Sequence, residues 1–145
     1  MSETLNHSAQ DRVQTLFDTL VDVCEGYEVL IDRAEPSIRT LIKDVADQHT
    51  KDIAEIETVA RSNGTDLDRS GTLMSEVHKA AVKMRDLFSD LDQDVLKAVG
   101  DGEKSVLSTY DSALEQVPDS HDLHGVLRAQ RQELRGKVTA LFEPA

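Results

Sequence analysis

DRVQTLFDTLVDVCEGYEVLIDRA, residues 11–34, decides how the rest of the chain is read. Its apolar residues recur at Val13, Leu16, Phe17, Leu20, Val23, Cys24, Tyr27, Leu30 and Ile31. At 100° per residue they fall within about 80° either side of Leu20, which is the stripe of an amphipathic helix. Roughly 24 residues rising 1.5 Å each make a rod of about 36 Å, and an apolar face of that length needs partners as long as itself.

The flanks supply the limits of that helix and its partners. Upstream, Ser8-Ala9-Gln10-Asp11 has the form of a capping box and predicts a start near residue 9, leaving residues 1–8, with His7, as a flexible polar tail. Downstream, Glu35-Pro36 stops the first helix and opens a second, because proline at the first helical position lacks only an N–H that has no partner there. A connection this short makes the two helices antiparallel neighbours. The second helix is expected over 36–62, with Ile38, Leu41, Ile42, Val45, Ala46, Ile53, Ile56, Val59 and Ala60 on one face and Asn63-Gly64 at its end. Helical spacing resumes over 73–88, then over 93–116 through Val99, Val106, Tyr110, Ala113 and Leu114, and, after Pro118, over 120–142 through Leu123, Leu127, Leu134, Val138 and Leu141. No strand pattern and no glycine-rich phosphate loop appears. The expected fold is all-α: a single bundle domain over 9–142, built of two antiparallel helical hairpins. About 30 residues separate the second and third long helices, enough for a partly helical crossover that returns the chain along the bundle, as in ferritin-like four-helix bundles. The second and third long helices then run parallel.

At 145 residues the chain buries about two-thirds of its unfolded surface without staples. Its formal net charge of -12 opposes approach to nucleic acid or to an anionic membrane, so neither is expected as a partner. No run of apolar residues is long enough to span a bilayer, and the N-terminal stretch has no basic region followed by an apolar run; a cytoplasmic location is expected. The one cysteine, Cys24, forms no internal disulfide and sits on the apolar stripe as a small hydrophobe.

Histidines and carboxylates test the interior for metal chemistry. A di-iron bundle carries Glu-x-x-His pairs on two helices, since three-residue spacing turns both groups inward. The residues three before His7, His49, His78, His121 and His124 are Thr4, Ala46, Ser75, Pro118 and His121, none of them acidic. Yet His49 lies at the centre of the second helix's stripe and Glu103 at the centre of the third's, and parallel helices bring both to nearly the same height as Cys24 and Gln130. A buried polar layer of His49, Glu103, Gln130, Tyr27 and Tyr110 is therefore expected, because a charge at a stripe centre is costly unless paired. As a pair that fixes register it binds nothing. Read instead as a reduced, mononuclear site, it offers His49, Glu103, Cys24 and Glu28 as ligands for iron, zinc or manganese. Glu25 points away from the stripe, and Glu28 is on its edge. His121 and His124 are expected to cap the first turn of the last helix and to face solvent. Asp44, Asp47, Lys51, Asp52, Glu55 and Glu57 are read as a wetted face.

The stretches GTLMSEVHKAAVKMRDLF and VLKAVGDGEKSVLSTYDSALEQVP, with Gly102-Glu103, Leu107, Tyr110 and Ala113-Leu114, the Gln130 region, and LVDVCEGY with Asp22 and Gly26-Tyr27 resemble a bacterial, mostly proteobacterial, family of ferritin-like four-helix bundles of unknown function. The resemblance runs from about Leu16 to Leu141. It implies a fold rather than a reaction. Members commonly have a histidine late in the last helix, where this chain has Val138, a departure that counts against a metal site. The expected function is a non-enzymatic structural or interaction module, a stress-related role included, without a cofactor and assembled as a homo-oligomer, a dimer first, with a protein partner yet to be identified. The alternative is a metal-binding or redox protein of the ferritin-like class, and a small-molecule binder using a gap around Cys24, Tyr27 and Tyr110 is a third class.

Overall fold

Asn6 starts the first helix: its side chain accepts from the Ala9 N–H at 2.8 Å, satisfying one of the unpaired first-turn donors. In the computed structural model, which describes residues 4–32, 34–68 and 93–142, α1 runs His7–Ile31, α2 Pro36–Ser62, α3 Gln93–Gln116 and α4 Asp122–Phe142. Helix α1 thus begins ahead of the Ser8 box, with His7 inside it and Leu5 buried beneath, so the expected tail is in part structured. It ends at Ile31, short of the expected residue 34. The helix expected over 73–88 lies outside the described residues, which form four helices and no strand.

Pro36 occupies the first turn of α2, and Asn63-Gly64 ends it as a Schellman motif. The Thr65 N–H reaches Ala60 O at 2.9 Å and the Gly64 N–H reaches Arg61 O at 3.0 Å. Gly64 has φ +85°, a conformation in which a Cβ would be strained. At the head of α4, His121 caps the first turn, as expected. Its Nδ1 accepts from the Leu123 N–H at 3.0 Å, and the residue is only 3 % exposed rather than facing solvent. Loss of that cap in His121→Ala is expected to cost about 1 kcal/mol, read as a lower urea midpoint at unchanged slope.

Side-chain pairs fix the helix directions. Ser8 with Gln116 and Tyr27 with Glu103 set α1 antiparallel to α3; Asn63 with Asp122 and Asp44 with Lys137 set α2 antiparallel to α4. Each helix packs on two neighbours, α1 on α2 and α3, and α4 on the same two. Since α1 also runs antiparallel to α2 across the short 32–35 connection, α2 and α3 lie parallel across the bundle diagonal. The core they enclose includes Leu16, Phe17, Leu20, Ile42, Ile56, Leu123, Leu127 and Leu134, all fully buried. Where α3 meets the end of α4, Gly100 admits Phe142, whose Cβ lies 3.0 Å from the place a Gly100 Cβ would take.

Candidate functional site

Halfway along the bundle the apolar core gives way to a polar layer, and Glu103 of α3 is at its centre. The parallel run of α2 and α3 sets His49 opposite it, and His49 Nε2 lies 2.6 Å from Glu103 Oε1 and 2.8 Å from Oε2. From α1, Tyr27 donates its hydroxyl to Oε1 at 2.7 Å, and its ring stacks on the imidazole at 20° with centroids 6.4 Å apart. His49 and Glu103 are 0 % exposed and Tyr27 1 %. A carboxylate only accepts, so the ring proton is on Nε2, and His49 Nδ1 has no hydrogen-bond partner among the described residues.

A second set of groups continues the layer between α2, α3 and α4. Tyr110 donates to Gln130 Oε1 at 2.9 Å, while Gln130 Nε2 donates to Glu55 Oε1 at 2.8 Å and to the Asp52 carbonyl at 3.3 Å. Asp52 and Gln48, buried at 1 % and 4 % exposure, pair one turn apart, with Gln48 Nε2 3.2 Å from Asp52 Oδ2. Asp52 corrects the wetted-face reading. It lies about 60° from His49 at the centre of the α2 stripe, a position that stays wet on a helix with one neighbour and is covered here because α4 packs on that flank. The readable signal was the Gln48–Asp52 spacing of four, which puts both side chains on one flank facing Gln130.

The other residues read as ligands do not converge. Cys24 is half-buried, its Sγ 3.8 Å from Ala46 O and 3.9 Å from Thr50 Oγ1, and Glu28 is exposed. Among the described residues no three of His, Cys, Asp and Glu are grouped so that they could hold a metal ion. Burial pushes the Cys24 thiol up to about 11, the acidic neighbours Glu103, Glu28 and Glu25 adding to it against the Thr50 contact, so at neutral pH it is a thiol and not the reactive thiolate. Burial and the Glu103 charge raise the Tyr27 phenol well above its usual value, which keeps it a hydrogen-bond donor. Tyr110 is raised likewise, by burial first and then by Asp52 and Glu103. The layer is an arrangement of donors satisfied by acceptors within it.

Among the described residues no helix is long and apolar enough to cross a membrane. A family model described as a domain of unknown function (DUF2383) matches residues 8–116, a span that holds Tyr27, His49, Asp52, Glu103 and Tyr110 and excludes Gln130. No match was found among curated proteins or among solved structures.

Proposed function

The chain belongs to the DUF2383 family, and from that membership and the polar layer we propose that it is a non-enzymatic structural or interaction module. In this reading it is a ferritin-like bundle of two antiparallel hairpins, joined by a crossover between α2 and α3, and works in the cytoplasm as a homodimer. One observation carries the reading: both oxygens of Glu103 are engaged by His49 and Tyr27, and all three side chains are at most 1 % exposed. Groups spent on one another in this way specify which helix faces which, at what height, since any slip of α2 against α3 strands a buried charge.

The competing reading is a mononuclear metal site. It is favoured by His49 Nδ1, a buried nitrogen without a partner whose ring is oriented through Nε2 by a carboxylate, as metal-bound imidazoles commonly are. The ligand set expected from sequence does not fit it, because Cys24 and Glu28 do not join His49 and Glu103.

Elemental analysis of untagged protein, grown with iron, zinc and manganese supplied, separates the two. The structural reading expects wild type, Glu103→Gln and His49→Gln to be alike and below about a tenth of an equivalent of any metal. Near-stoichiometric metal in wild type, lost in both variants, would overturn it in favour of the metal site.

A further inference from the structure

Glu103 has a counterpart for its charge in His49; Asp52, the second buried carboxyl of the layer, has none. Among the described residues no lysine or arginine pairs with it. The groups around it come from three helices. Its own helix contributes the Gln48 amide, His49, which is held by Glu103, and Glu55; α3 contributes Tyr110, with Glu103 beyond it; α4 contributes Gln130 and Glu133. The α1 groups that meet α2 nearby are Cys24, at Ala46 and Thr50, and Tyr27, against His49. The balance around Asp52, itself 1 % exposed, is therefore acidic.

The hydrogen-bond directions say what a proton would do there. Tyr110 gives its only proton to Gln130, and Gln130 donates to Glu55 and to the Asp52 carbonyl, so among the described residues the Asp52 carboxyl accepts from the Gln48 amide alone. While ionised, Asp52 holds a buried charge with one neutral donor and no cation among those residues. Once protonated, the carboxyl carries no charge to compensate and keeps the Gln48 amide as its donor.

We propose that Asp52 is the proton-uptake site of the bundle core, so that mild acidification removes an uncompensated buried charge from between α2 and α4 and tightens the fold. Consistent with that geometry, burial pushes the Asp52 carboxyl up to about 6 from 3.8, with Glu133 and Glu55 adding to the rise and Gln48 and His49 opposing it. The sign follows from linkage. The folded state holds the proton more tightly than the unfolded chain, so this contribution to stability is complete below about pH 4 and is lost as pH rises through about 6. That is opposite to the acid destabilisation which paired surface carboxylates produce.

The test is urea unfolding of wild type and Asp52→Asn from pH 4.5 to 7.5, with a titration of the 13C carboxyl resonance of Asp52 in folded wild type. The amide stands in for the protonated carboxyl, so Asp52→Asn should be the more stable protein at pH 7.5. Its unfolding constant relative to wild type should change by about 30-fold across the range, nearly all of it between about pH 4.5 and 6.5. Titrating histidines are common to both proteins and cancel in that ratio. Parallel stability profiles, or an Asp52 resonance that titrates near 4, overturn the proposal. If Asp52→Asn fails to fold, the resonance in wild type decides by itself.

Discussion

Glu103→Ala is expected to destabilise the bundle by about 4 kcal/mol, because it strands the His49 Nε2–H and the Tyr27 hydroxyl in a fully buried site and leaves a void where the side chain was. For a chain of this size that is about 10 °C in melting temperature. The informative companion is the double replacement His49→Leu/Glu103→Leu. Removing both partners of a buried pair in favour of apolar groups restores most of the loss, since no orphaned polar group remains except the Tyr27 hydroxyl. A third change, Tyr27→Phe, removes that one as well. Urea unfolding with the slope recorded checks the series. A cost below about 1 kcal/mol for Glu103→Ala alone would mean that the pair does not hold the layer together. If the pair specifies register, as proposed, the triple variant should retain stability while its amide NMR spectrum shows more than one set of resonances for α2 and α3.

Phe17→Ala should cost about as much, roughly 4 kcal/mol, by a different route. Phe17 is 0 % exposed in the same core as Val13, Leu16 and Leu20, so truncation removes apolar area and leaves a cavity that the rigid helices fill only in part. No polar group is stranded, and no second substitution in the polar layer should rescue it. Phe17→Leu, which refills most of the volume, should recover more than half of the loss. The two variants therefore differ in their cure rather than in their size, and differential unfolding of the single and combined proteins distinguishes a layer held by hydrogen bonding from a core held by volume.

Periodicity carried the helices because each has one long apolar face and sharp ends. Pro36 and Asn63-Gly64 bound α2 for local reasons, a missing N–H at one end and a left-handed glycine at the other, and such signals are complete within a few residues. The head of α1 was harder to read. Two side chains within three residues, Asn6 and Ser8, are both able caps, and burial of Leu5 and Ala9, which the local sequence does not announce, goes with the choice of Asn6. His121 was misplaced for a related reason: it faces inward because the turn after Pro118 aims its ring at the first N–H groups of α4.

What the amino-acid sequence determined by itself is the number and faces of the long helices, and the placing of two polar residues, His49 and Glu103, at stripe centres where isolation is costly. Those are properties of one helix at a time, set by 3.6-residue periodicity and by end caps. Tertiary structure alone decided which of the remaining polar groups are dry. Asp52 and Gln48 are buried by α4 arriving on the flank of α2, Glu28 stays wet because none of the described helices covers it, and Cys24 meets Thr50 instead of the Glu103 layer. Burial at a stripe's edge depends on how many neighbours a helix has and where they sit, and that information belongs to the assembled bundle rather than to any one segment.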